Sequence, residues 1–503
     1  MNTLFKPTSY KKGAAVAVGA TFVWKVVSFA NALLLALYFG ADRQTDIYFY
    51  LIMLTGLATL FFQNLTQVIL IPEAIFLTRE NETKARQFTT MWLYIYGAVG
   101  LVAGLVGLVC PEQIWQLLSR FEGPVLAADK WMLKCGFALF ALQNISLYLI
   151  AVAEMYKFFK TAWLSVLNAL CPLLFLLLLG RQIGIISMVY GFIMANLVQI
   201  VILLLLLKTQ LTWSFSPAWV PLRVQTRQNM LTGQLLAVFS IFTGWLPVYL
   251  MSSWGAGIVS ALTYCKQFTD STNEIFVART ANVAKIQLTE LIAQKKYAQA
   301  DQTFLASAYA LLALLAPLVV FSCYFAPQIV QVFLERGQFG AQATQYTATF
   351  LRPMLFNVLL FIPGALQNSA LAAGRKIKEW FPYSLLSTIV YTLFLWIEMP
   401  RWGAFSFPYL LAAAGILGFV LNAFLFKKHL PFLQYAKQLG LVVRFTLVAT
   451  VPLIPAVALS WLLPANAWIQ LAVCGSIYVA GYGAVLYVTK DLQKLFHVAT
   501  DNF

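Results

Sequence analysis

Apolar runs of about 20 residues alternate with short polar segments along the chain, and about fourteen such runs can be drawn, each long enough to cross roughly 30 Å of hydrocarbon as a helix. They fall near 14–39, 47–76, 90–110, 131–153, 161–180, 183–207, 228–251, 256–282, 304–326, 345–371, 380–399, 404–426, 440–463 and 467–489; the eighth is the least apolar. The pattern predicts an all-α, polytopic membrane protein of about 14 transmembrane helices. Composition agrees: 61% of the 503 residues are hydrophobic and 10% charged, whereas soluble domains hold nearer a quarter charged. Lys6, Lys11 and Lys12 precede the first run, and no small-residue cleavage site follows it, so the first span is expected to be retained.

Charge sets the expected orientation, because Lys and Arg accumulate in short cytoplasmic loops. With the N-terminus inside, 22 of the 34 basic residues fall in inner segments and six in outer ones, namely Arg43, Arg120, Lys130, Arg181, Arg336 and Arg401. Fourteen helices with both termini cytoplasmic follow from that asymmetry, in a bacterial inner (cytoplasmic) membrane. Anionic lipid headgroups account for the net charge of +16 without nucleic acid. The six cysteines lie in or beside apolar runs with no C-x-x-C spacing, as small buried hydrophobes do. His429 and His497 sit in inner segments and cannot form an intramembrane metal site.

Four letters, ALQN, occur twice, at 141–144 and 365–368. Alone this is weak, but Pro111-Glu-Gln-Ile-Trp115 precedes the first copy as Pro327-Gln-Ile-Val-Gln331 precedes the second. Further upstream, Lys84-Ala-Arg-Gln-Phe88 is matched by Tyr297-Ala-Gln-Ala-Asp301. The ordered landmarks map helices 2–4 onto helices 8–10 and predict two related six-helix lobes, 1–207 and 228–428. An interfacial linker, 208–227, joins them, and 429–503 adds helices 13 and 14 with a cytoplasmic tail. Six helices per lobe puts both lobes in the same sense, an arrangement suited to alternating access about a site at their interface.

Ionisable residues inside spans are costly and face a cavity or a partner. Lys266, Asp270 and Glu274 follow at i, i+4 and i+8 in helix 8, with Thr263 and Gln267 beside them. They form either a cleft-lining stripe, with Lys266 for an anionic headgroup and Asp270 or Glu274 for a proton or sodium ion, or a self-neutralising ladder. Helix 1 carries Thr21, Lys25 and Ser28 on one face, and helix 2 carries Thr59, Gln63, Thr66 and Glu73. Arg352, beside Pro353 in helix 10, either faces the cleft or snorkels, while Lys134, Arg279 and Arg444 near helix ends are expected to snorkel. No P-loop, H-E-x-x-H or G-x-S-x-G motif is present, so no enzyme is predicted and energy must come from a gradient or the membrane potential.

Three stretches resemble the MurJ/MviN family of lipid II flippases, within the multidrug/oligosaccharidyl-lipid/polysaccharide exporter superfamily. Tyr38-Phe-Gly-Ala-Asp-Arg-Gln-Thr-Asp46 is similar to that family's FGA…TDAFF stretch, Phe333-Leu-Glu-Arg-Gly-Gln-Phe339 to its LFERGxF, and Ser260-Ala-Leu-Thr-Tyr264 to its VSxLxYA. The resemblance implies a transporter moving an undecaprenyl-linked sugar from the inner to the outer leaflet, with helices 13 and 14 making a groove for the lipid tail. Asp46 and Lys25 carry over to the family's functional positions. Asn31, Thr59 and the pair Lys266-Gln267 stand where the family has arginines or an Asp-Arg pair, and Lys replaces a bidentate Arg poorly. A substrate site of Lys25, Asn31, Asp46, Thr59, Gln63, Lys266, Gln267 and Arg352 is expected, with Asp270 and Glu274 for ion coupling and no cofactor beyond a possible Na+ or H+. The partners are a lipid-linked glycan and membrane lipids, and the chain is expected to act as a monomer. The alternatives are a proton- or sodium-coupled exporter of amphipathic small molecules, using Asp270 or Glu274, and a non-transporting polymerase or scaffold.

Overall fold

The computed structural model describes residues 10–489 apart from 212, 214 and 217, together with Asp491. Lys6, Lys490, Lys494 and His497, and with them both chain ends, lie outside the described residues. The regular structure described is helical throughout: α1 (Tyr10–Phe39), α2 (Arg43–Glu80), α3 (Glu82–Val109), α4 (Lys130–Met155), α5 (Phe159–Ile183), α6 (Ile186–Leu211), α7 (Val224–Met251), α8 (258–293), α9 (Tyr297–Tyr324), α10 (Ala341–Ala373), α11 (Ile377–Trp402), α12 (Ala404–His429), α13 (Tyr435–Ser460) and α14 (Ala467–Val488). Among the described residues, twelve of these are long and apolar enough to cross a membrane. The other two are the seventh and eighth: α7 offers a shorter apolar stretch, Ala237–Met251, and α8 is too rich in polar residues.

Two sets of landmarks recur in order. A π turn interrupts α2 at Thr66–Leu70 and α8 at Asn273–Val277. Back-bonding hydroxyls precede or open both. Thr66 Oγ1 donates to the Phe62 carbonyl at 2.9 Å, which also accepts the Tyr96 hydroxyl at 2.9 Å. Ser271 and Thr272 donate to the Gln267 and Phe268 carbonyls at 2.7 and 3.0 Å. Hydroxyls that compete for i−4 carbonyls loosen the ladder there and favour a wider turn. After α3 and again after α9 comes a short helix opened by proline, Pro111–Leu118 and Ala326–Phe333, each burying one face through Trp115 or Val330.

The chain forms two compact units, 1–260 and 261–503. In the first, Leu70, Phe88, Tyr96, Tyr148 and Leu203 are packed in one core, and Trp213 closes it by donating its indole N–H to Thr90 Oγ1 at 2.7 Å. In the second, Phe325, Ala456, Cys474 and Tyr478 join α14 to α13 and to the end of α9. Tyr478 and Tyr482 hydroxyls donate to the Ala449 and Ala313 carbonyls, both at 2.9 Å. Apolar side chains such as Leu101, Leu178, Leu447 and Val479 stay exposed, as a lipid-facing surface requires. All six cysteines are free thiols.

Candidate functional site

Asp46, near the start of α2, is fully buried and holds the beginning of α8. Its carboxylate accepts the Gly257 N–H at 2.8 Å, the Ser260 N–H at 2.7 Å and the Ser260 hydroxyl at 2.6 Å. A carboxylate on the first N–H groups of a helix satisfies orphan donors and complements the helix dipole. Gly257 allows it: its φ is +85°, and a Cβ there would stand 2.5 Å from the Ala41 carbonyl oxygen. In this structure Asp46 is thus a helix cap.

At the other end of α2, buried Glu73 accepts from Arg223 Nε and Nη2 at 2.7 and 2.8 Å and from the Thr226 hydroxyl at 2.6 Å. The guanidinium also lies 3.5 Å over the Phe76 ring. Glu73 therefore ties α2 to the start of α7 and leaves the face expected to hold it with Thr59, Gln63 and Thr66; the intervening π turn breaks the 3.6-residue register. Arg223 had no local signal, since its partner lies 150 residues away in sequence.

Thr59, Gln63 and Thr66 line a polar slot of about 190 Å3 inside the first unit, with Asn144, Glu154 and Ser165 on its other walls. Lys25 is half-buried on α1, its ammonium 4.9 Å from the Trp24 ring centre. Asn31, also on α1, is buried against α5 and donates to the Ala169 carbonyl at 2.7 Å. Neither lines the slot.

The second unit holds a cavity of about 380 Å3 lined by Thr269, Asp270 and Asn273 from α8, Gln367 and Asn368 from α10, and Asn422 from α12. Gln367 accepts from Asn422 at 2.9 Å and donates to Gln438 at 3.4 Å. Of the expected helix 8 stripe, Asp270 reaches this cavity and Lys266, Gln267 and Glu274 do not line it. The Lys266 ammonium lies 5.9 Å from the Phe407 ring centre, and Glu274 is exposed within the π turn. Arg352 is exposed. The twice-written ALQN acquires a physical meaning: Asn144 of the first copy and Gln367 and Asn368 of the second each supply the polar wall of a cavity.

Arg444 corrects its expectation. Instead of only snorkelling, it gives both carboxylate oxygens of buried Asp491 a bond at 2.7 Å, and Tyr309 adds a third at 2.7 Å. An apolar groove of about 920 Å3 runs along α9 and α14, lined by residues such as Leu314, Leu318, Phe321, Leu471 and Val479.

The profile of a family described as lipid II flippase MurJ matches residues 35–476. A probable lipid II flippase MurJ of Borreliella burgdorferi is 23% identical over 381 residues, 74% of each chain. A solved lipid II flippase MurJ in an inward closed conformation superposes with a TM-score of 0.79 at 17% identity, covering 95% of this chain and 99% of that one. An inward-facing multidrug resistance MATE family transporter of the MOP superfamily superposes at 0.65 and 11% identity, covering 82% and 97%. These two likenesses establish the fold.

Proposed function

Because the chain belongs to the MurJ family of lipid II flippases, we propose that it carries a lipid-linked, undecaprenyl-type oligosaccharide or peptidoglycan precursor from the inner to the outer leaflet by alternating access. The observation that carries this reading is the family match over 35–476, which takes in most of the helices. The groove along α9 and α14 supports it. A continuous apolar trough of about 920 Å3 suits a polyprenyl tail better than a compact amphipathic solute. Lys25 and Lys266 are the cations offered to the phosphates, each as a point charge where a guanidinium would bind bidentately, so a lipid-linked glycan other than lipid II is an equally good cargo.

In this proposal all fourteen helices cross a bacterial cytoplasmic membrane with both termini inside, lobes 1–207 and 228–428 are related by duplication, and 208–227 lies at the inner interface. The MATE-like fold favours a second reading, an ion-coupled exporter of amphipathic small molecules in which Asp270 takes the ion. Complementation separates the two. A cell depleted of its own lipid II flippase should be rescued by this chain, and Lys25→Ala or Lys266→Ala should weaken the rescue at equal membrane abundance. Absence of rescue together with Asp270-dependent dye efflux would support the exporter.

A further inference from the structure

The slot in the first unit has features that the binding of a lipid-linked glycan does not account for. Its lining is rich in oxygen: Thr59, Gln63, Thr66, Asn144, Glu154 and Ser165. Thr59 Oγ1 donates its proton to the Thr55 carbonyl at 2.7 Å, which leaves its lone pairs available as ligands. Asn144 is 4% exposed; its amide N–H goes to the Phe140 carbonyl at 2.8 Å, while its Oδ1 is buried with no hydrogen-bond partner among the described residues. A buried carbonyl oxygen without a donor is costly and marks a place where a ligand belongs. Glu154, ten residues further along α4 and hence about 15 Å away by helical rise, lines the same slot without an ion pair or side-chain hydrogen bond among the described residues.

We propose that this slot binds one small monovalent cation of the sodium class, held by Asn144 Oδ1 and the Thr59 hydroxyl at one end and drawn in past Glu154 at the other. Hard cations take oxygen ligands, and the charge count decides between valences. Neutral amide and hydroxyl oxygens, with the slot's one carboxylate about 15 Å off, can hold a single positive charge and leave a divalent ion uncompensated. The Glu154 carboxylate disfavours a phosphate there.

The test is thermal unfolding of the purified full chain in detergent, followed by tryptophan fluorescence while sodium replaces N-methyl-D-glucamine at constant ionic strength and pH. A ligand that binds only the folded state raises the Tm with its concentration. The midpoint of that rise should move to about tenfold higher sodium in Asn144→Ala and less far in Glu154→Gln, because lost ligands and lost charge both weaken the site. Thr59→Val serves where Asn144→Ala does not fold. A midpoint unchanged in all variants would place the ion elsewhere and overturn the proposal. So would a Tm indifferent to sodium, meaning the slot holds water only, or one answering to pH alone, meaning that Glu154 only takes a proton. The readout is ion binding, so its failure leaves the transport reading untouched, and failure of complementation leaves the ion site untouched.

Discussion

The slot of the first unit and the cavity of the second draw on helices in the same order, α2 with α4 and α8 with α10, each pair including one π turn and one copy of ALQN, yet their chemistry differs. In the first, among the described residues, Asn144 keeps an unsatisfied carbonyl and Glu154 lines the slot without an ion pair. In the second, Gln367 is locked between Asn422 and Gln438. Each unit builds a polar wall, and the neighbours contributed by later helices decide whether that wall keeps an unsatisfied oxygen or is closed on itself.

The largest effect is expected where α8, a wall of the second cavity, begins. Asp46→Ala orphans two backbone N–H groups and a hydroxyl, and should cost about 3–5 kcal/mol, read as a large fall in Tm; Asp46→Asn should recover part of it. Next comes the other end of α2. Glu73→Gln, which leaves Arg223 without its charge partner, should cost about 2 kcal/mol and increase proteolytic nicking between α6 and α7. Gln367→Leu and Asn144→Leu address the two cavities directly. The first strands the Asn422 amide and should cost about 1–2 kcal/mol, whereas the second removes an oxygen that has no protein partner and should be close to neutral. Equal losses would erase the distinction between a closed wall and an open one.

The smallest effect is one of pH. Burial, with the Asp42 charge nearby, raises the Asp129 carboxyl above its ordinary value against the bond from Gln44, so the folded state binds the proton more readily than the unfolded one. Stability contributed there is present at acid pH and is lost as pH rises through the folded pKa. Asp129→Asn should therefore raise the Tm slightly at neutral pH and leave it unchanged near pH 4.

Helices were legible in the sequence because a bilayer imposes a length and an apolarity that twelve of them satisfy outright. The paired landmarks were legible too, since the short proline-opened helices and the two ALQN copies come in the same order along the structure. What periodicity cannot see is the register shift of a π turn, which opens at Asn273, after Lys266 and Asp270 and just before Glu274, and which in α2 lies between Thr59 and Glu73. Nor can it pair residues distant along the chain. Glu73 with Arg223 and Arg444 with Asp491 each join a span to a segment that seemed merely basic or terminal. Asn31 and Asp46 stand out in the sequence only through the family resemblance, and in this structure they hold α5 and the start of α8.

The most direct measurement is translocation itself, in proteoliposomes containing a polyprenyl-diphosphate glycan with a fluorescent headgroup, followed by its accessibility to a membrane-impermeant quencher. Exchange between leaflets should run well above that of protein-free vesicles and be strongly reduced by Lys25→Ala. Exchange no faster than in empty vesicles, from protein that remains folded and correctly inserted, would contradict the proposed translocation.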